Sequence, residues 1–350
     1  MHVTKKHLAD LKLCYAIGSF EDAQGGSFLI GTEKEGPCLR FDLEGKLLEE
    51  VWPGPGGVMT IQQVPGREDQ FLSTQEFYSP NCGAEQARIS SSTREGEQWV
   101  VRTLAELPYV HRFGILRAED GRDWLLACSI KSSCAYREDW RDPGAVYVAP
   151  LPERCEEHDQ EHQLPLDCLR DQQLRNHGFY LAPDRSYCLI ATHEGVFRYS
   201  PPATDCQDWR IEKLLEKSVS DICLVDFDGD GQQELLCLSP FHGAELSVFK
   251  ADSAGRYQEV YRCSEELPFL HALWSFRHGD RELAVLGHRK GERDLFLLRH
   301  DSERGYYREI LDHDVGPTNV WHYQRGGRDY IVSTNREIDE LALYILDWEE

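Results

Sequence analysis

Three histidines, His111, His177 and His271, and one carboxylate, Asp221, each open a run of apolar residues at long intervals along the chain. Neutral imidazoles converging with a carboxylate suit Zn²⁺, Mn²⁺ or Fe²⁺. A second polar set follows the next apolar run in each case. It comprises Lys131, His193, His242, His288 with Arg289, and Asn335 with Arg336. Imidazoles in such positions carry protons, and Lys or Arg holds substrate oxygens. On this reading His111, His177 and His271 are ligands of a catalytic divalent metal, and Asp221 is a ligand or an orienting group. His193, His242 or His288 then acts as base or acid, and Lys131 and Arg336 bind substrate oxygens. The alternative is a metal-free set of hydrogen-bonded strand ends.

These residues can act together only if the fold gathers them, and the sequence is organised as repeats. LPYVHRFGIL (107–116) and LPFLHALWSF (267–276) are each followed by a polar turn and a second apolar run. Seven copies are present, with first strands expected near Leu11, Gly57, His111, His177, Asp221, His271 and Asn319. The second strands read SFLIGTE, QFLSTQE, WLLACSI, YCLIATH, ELLCLSP, LAVLGHR and YIVSTNR. The third include AVYVAP, GVFRYS, AELSVFK and LALYILD. The runs are short, rich in β-branched and aromatic residues, and bounded by Gly, Pro, Asp and Asn, which is strand chemistry. With 350 residues the period is about 50, which fits propeller blades. The expectation is an all-β, seven-bladed β-propeller of four-stranded blades, a single domain over 1–350. A two-domain α/β enzyme is the structural alternative. The seventh copy ends after its third strand, so residues 2–9 are expected to supply its outer strand.

In a propeller, the start of each innermost strand and the end of the second share one rim. That places the histidines around one channel mouth, with Glu33, Gln75 and Glu76 from the first two copies. A slip of one residue in register would turn a side chain away. Two long loops, 77–86 and 131–144, belong to the same face. The second carries Tyr136, Arg137, Asp139, Trp140 and Arg141, a mixture suited to stacking on a sugar ring.

The turn Asp226-Phe-Asp228-Gly-Asp230-Gly231-Gln-Gln-Glu234 resembles the calcium loop of FG-GAP/VCBS-type propeller repeats. Alternating carboxylates offer the oxygens that Ca²⁺ requires, and glycine permits the sharp turn. The family pattern usually ends in Asp, where this chain has Glu234. The resemblance implies a structural Ca²⁺ held by Asp226, Asp228, Asp230 and Glu234. The His-lined mouth is similar in architecture and residue type to oligogalacturonate lyase and the propeller part of aldos-2-ulose dehydratase. That similarity implies a metal-dependent lyase or dehydratase, removing an α-proton from a keto-sugar, glycoside or uronide and eliminating at the β-position. A non-catalytic FG-GAP/VCBS-type binding propeller is the alternative, and a lactonase or glycosidase is a further one.

Composition sets outer bounds. The chain carries 38 Lys+Arg against 61 Asp+Glu, a formal charge of −23, which opposes binding to nucleic acid or an anionic membrane. The partner expected is a small carbohydrate. No apolar run is long enough to span a bilayer. The twelve cysteines form no CxxC pair, and Cys14, Cys128, Cys188, Cys223 and Cys237 lie in apolar runs, which points to a reducing, cytoplasmic setting. His158 and His162 stand four apart in a charged connection that reads as a solvated loop rather than a metal site.

Overall fold

The computed structural model describes residues 1–78, 83–204 and 207–348. Ser79, Pro80, Asn81 and Cys82 of the 77–86 loop lie outside the described residues. The apolar runs form seven four-stranded antiparallel sheets, and the chain is a seven-bladed β-propeller. It divides into two compact units, Tyr15–Lys213 and Met1–Cys14 with Leu214–Glu350.

The first unit carries four blades, with strands lying within 14–52, 61–106, 110–173 and 178–215. Alternating side chains of neighbouring blades interlock in its core. Leu126, Cys128 and Val146 meet Cys188, Ile190, Phe197 and Tyr199, all buried. The second unit carries blades within 221–262 and 270–312, and a last blade within 320–347. Strand His2–Asp10 completes that blade by pairing antiparallel with Glu340–Asp347, as the repeat count requires. Lys5 secures it through Asp312 at 2.9 Å and Glu340 at 2.7 Å.

The first strands of the first two blades begin at Cys14 and Ile61, three and four residues later than the sequence suggests. Leu13 adopts φ +53° and Leu11 bonds back to the Asp339 carbonyl, so that stretch is a turn. Gly57 and Val58 donate to Lys34 and Thr32 of the preceding hairpin, which delays the second blade.

The two LP-aromatic-apolar-His repeats share a detail that positions their histidines. Tyr109 and Phe269 take φ +60° and +64°, a conformation that bulky L-residues seldom adopt. Register then skips one residue, between Val110 and Arg112 and between Leu270 and Ala272. His111 and His271 are therefore bulge residues, and a bulge re-aims a side chain out of the regular alternation.

Elsewhere in the last blade a buried carboxylate organises polar donors. Asp329 accepts from His278 Nδ1 (2.5 Å), His322 Nε2 (2.6 Å), Trp348 Nε1 (2.7 Å) and Gln324 Nε2 (2.9 Å). His322 stacks on Phe276 and His278 on Trp348, so the cluster ties the chain end to two blades. Burial raises the Asp329 pKa, but these donors outweigh it and hold the carboxyl at about 2. A folded value below the unfolded one stabilises above about pH 4, and that contribution disappears as pH falls towards 2. The difference is worth on the order of 2 kcal/mol. Asp329→Asn is expected to lower stability at pH 7 by about that amount and to flatten the acid side of the profile. Urea unfolding followed by tryptophan fluorescence at pH 7, 4 and 3 measures both effects.

Candidate functional site

In the unit of Leu214–Glu350, His271 is 3% exposed, and its Nδ1 lies 2.6 Å from the Thr318 carbonyl. A carbonyl only accepts, so Nδ1 carries the proton and, in the neutral ring, Nε2 keeps its lone pair. This is the arrangement by which a backbone carbonyl orients a metal-binding imidazole. Thr318 is itself held firmly. It is fully buried, donates from its backbone to Thr334 at 2.9 Å, and its hydroxyl contacts Thr334 Oγ1 at 2.9 Å.

His242 lies beside it, with ring centroids 5.6 Å apart. Its backbone takes φ +52° and donates to Ser220 Oγ at 3.3 Å. The ring is fixed by a stack on Phe241 at 3.9 Å and an edge contact with Phe269 at 4.4 Å. Asp221 opens the innermost strand of the blade that carries His242, and its Oδ1 accepts the Ile222 amide at 3.0 Å.

In the unit of Tyr15–Lys213, His111 and His177 form a second imidazole pair. Their centroids are 4.5 Å apart, their planes tilted by 34°, and both are nearly inaccessible. Phe77 meets the His111 ring edge-on at 5.0 Å. His193 is exposed, and its backbone amide is bonded to Leu174.

Other expected site residues are committed elsewhere. His288 is locked within its own turn. Its Nδ1 donates to the Lys290 carbonyl at 2.7 Å, and its Nε2 accepts the Asp294 amide at 3.2 Å. Both ring nitrogens of His288, expected to move protons, thus meet partners within this turn. Arg336 and Arg289 both reach Glu337, at 3.1 Å and 2.7 Å, and Arg289 also lies over Phe269. Arg336 thus already holds a carboxylate within the protein.

Lys131 is wholly buried and pins the 131–144 loop. Its ammonium donates to the Asp139 carbonyl at 2.7 Å and sits 3.9 Å from the centre of the Trp140 ring. The Asp139 carboxylate accepts two bonds of 2.7 Å from Arg141. These bonds and the Ala135 amide hold its carboxyl well below the usual range. Gly144 closes the loop where a Cβ would lie 1.8 Å from the Ser129 carbonyl. Lys131, expected on substrate oxygens, is here the anchor of this loop.

At the 226–234 turn, Asp226, Asp228, Asp230 and Glu234 do converge. Lys250 Nζ lies among them, 2.6 Å from Asp228 and 2.8 Å from both Asp230 and Glu234. His158 is half-buried and His162 exposed, and His158 Nδ1 faces the His162 carbonyl rather than its ring.

No protein family's profile matches the chain, and no curated protein matches it. Among solved structures, the β-propeller domain of Cps50 (Swd1) from Myceliophteria thermophila is similar, with a TM-score of 0.53. The similarity spans 99% of this chain and 100% of that one at 11% identity. At that identity it shows the fold alone, a β-propeller.

The loop geometry yields a test. Lys131→Met removes the ammonium from the Asp139 carbonyl and the Trp140 face. It should cost about 1–3 kcal/mol and speed proteolytic cleavage within 132–143. Chemical denaturation and limited proteolysis measure the two effects.

Proposed function

We propose that this propeller is a metal-dependent carbon–oxygen lyase or dehydratase acting on a keto-sugar, glycoside or uronide. The observation that carries the reading is the His271 Nδ1 bond to the Thr318 carbonyl, which leaves Nε2 as a ligand atom beside His242. His242 passes from the proton-carrying set to the ligand set, and Asp221, which opens the same blade, orients. His111 and His177 supply the corresponding pair in their own unit. The donor set is imidazole-rich, which favours Zn²⁺, Mn²⁺ or Fe²⁺ over Ca²⁺. When bound, such a metal supplies Lewis-acid stabilisation of charge developing on a substrate carbonyl oxygen.

The chain's own residues do the rest. In the unit of Tyr15–Lys213, which has its own imidazole pair, the exposed His193 is the group proposed to take the α-proton or return one to the leaving oxygen. Phe241 and Phe269 offer apolar faces beside His242, suited to the C–H surface of a sugar ring. The thiols found among the described residues are unpaired, which fits a reducing compartment.

A non-catalytic binding propeller is the second reading. It is favoured by the internal engagement of Lys131, His288 and Arg336, which removes three groups a lyase would use.

Metal analysis of the purified protein separates the two. The lyase reading expects about one equivalent of a transition metal, with affinity lowered on the order of 100-fold or more in His271→Ala. With Mn²⁺ or Zn²⁺, oxidised sugars and uronides should then develop ultraviolet absorbance from a new enone, and His271→Ala should abolish it. Metal-free protein, or metal-loaded protein inert across the panel, supports the binding reading.

A further inference from the structure

We infer that Lys250 is the resident cation of the 226–234 turn, and that this chain closes a calcium-type loop without calcium. An ammonium has three N–H donors and no acceptor. Lys250 directs its ammonium at three carboxylate oxygens, Asp228 Oδ2, Asp230 Oδ2 and Glu234 Oε1, at 2.6, 2.8 and 2.8 Å.

The remaining oxygens of the four carboxylates are also engaged. Asp226 Oδ1 and Oδ2 accept the amides of Gly229 (2.9 Å) and Gly231 (3.0 Å). Asp228 Oδ1 accepts Asp230 N at 3.3 Å, and Asp230 Oδ1 accepts Gln232 N at 2.8 Å. Glu234 Oε2 accepts Phe227 N at 2.8 Å. Every oxygen of the four side chains thus has a backbone amide or the ammonium within 3.3 Å.

Calcium needs six to eight oxygens at roughly 2.3–2.6 Å. The ammonium occupies the point where the three outward oxygens converge, so ion and ammonium exclude each other there. The position of Lys250 follows from register. Leu235 pairs with Phe249 on the third strand of the blade, and extending that pairing by one residue sets Lys250 opposite Glu234. Glu234 is fully buried, and its carboxylate has this ammonium as its cation.

Two measurements on the full chain test the assignment. Thermal unfolding and isothermal titration with CaCl₂ after EDTA treatment should give an unchanged Tm and no binding heat for the natural protein. Lys250→Met, which keeps the chain's bulk and removes the charge, should melt lower in EDTA by on the order of 5 °C. It should recover in millimolar CaCl₂ as the carboxylates take up an ion. Lys250→Gln serves as the second variant if the first does not fold. A natural protein that binds one calcium and gains Tm with it overturns the assignment. So does a Lys250 variant whose Tm in EDTA matches the natural protein. Neither result bears on the imidazole pairs, whose reading stands or falls separately.

Discussion

The proposed chemistry depends on one hydrogen bond, from His271 Nδ1 to the Thr318 carbonyl. A carbonyl cannot donate, so the bond decides which ring nitrogen is left with a lone pair. It forms only because two backbone features meet. The bulge at His271, prepared by the left-handed Phe269, turns the ring out of the strand's alternation. The buried Thr318–Thr334 contacts hold the carbonyl still. His111 is placed by the same bulge after Tyr109, so one backbone device serves both repeats.

A second constraint is the excess of carboxylates. With 61 acidic residues against 38 Lys and Arg, cations are drawn into internal pairs. Arg289 and Arg336 share Glu337, Arg141 clamps Asp139, Arg40 bridges Asp22 and Glu49, and Lys250 fills the acidic turn. Imidazoles are drawn into the same pairing where a carboxylate lies close, as His278 and His322 are at Asp329.

Much of the fold was legible in the sequence, and less of the site. Apolar runs such as ELLCLSP and LAVLGHR, bounded by Gly and Asp turns, are strands, and the leading segment does complete the last blade. The opening positions of His111, His177 and His271 were legible from the repeats, because a strand start is a repeat property. The bulges were not, since only the paired LPYVH and LPFLH segments hint at them. The commitments of Lys131, His288 and Arg336 were hidden because they depend on where a few turn atoms come to rest. His288 reaches a carbonyl two residues away, and Lys131 reaches one eight residues away. Lys250 was legible in principle, being the residue opposite Glu234 in the hairpin, but acidic spacing alone draws attention to the carboxylates and away from a cation across the strand.

The central proposal is that imidazoles oriented in this way hold a transition metal. X-ray absorption at the metal edge of protein loaded with Zn²⁺ tests it most directly. The account predicts nitrogen scatterers near about 2.0–2.1 Å with the outer-shell pattern of imidazole rings. A spectrum of oxygen ligands alone, without imidazole scattering, would contradict it.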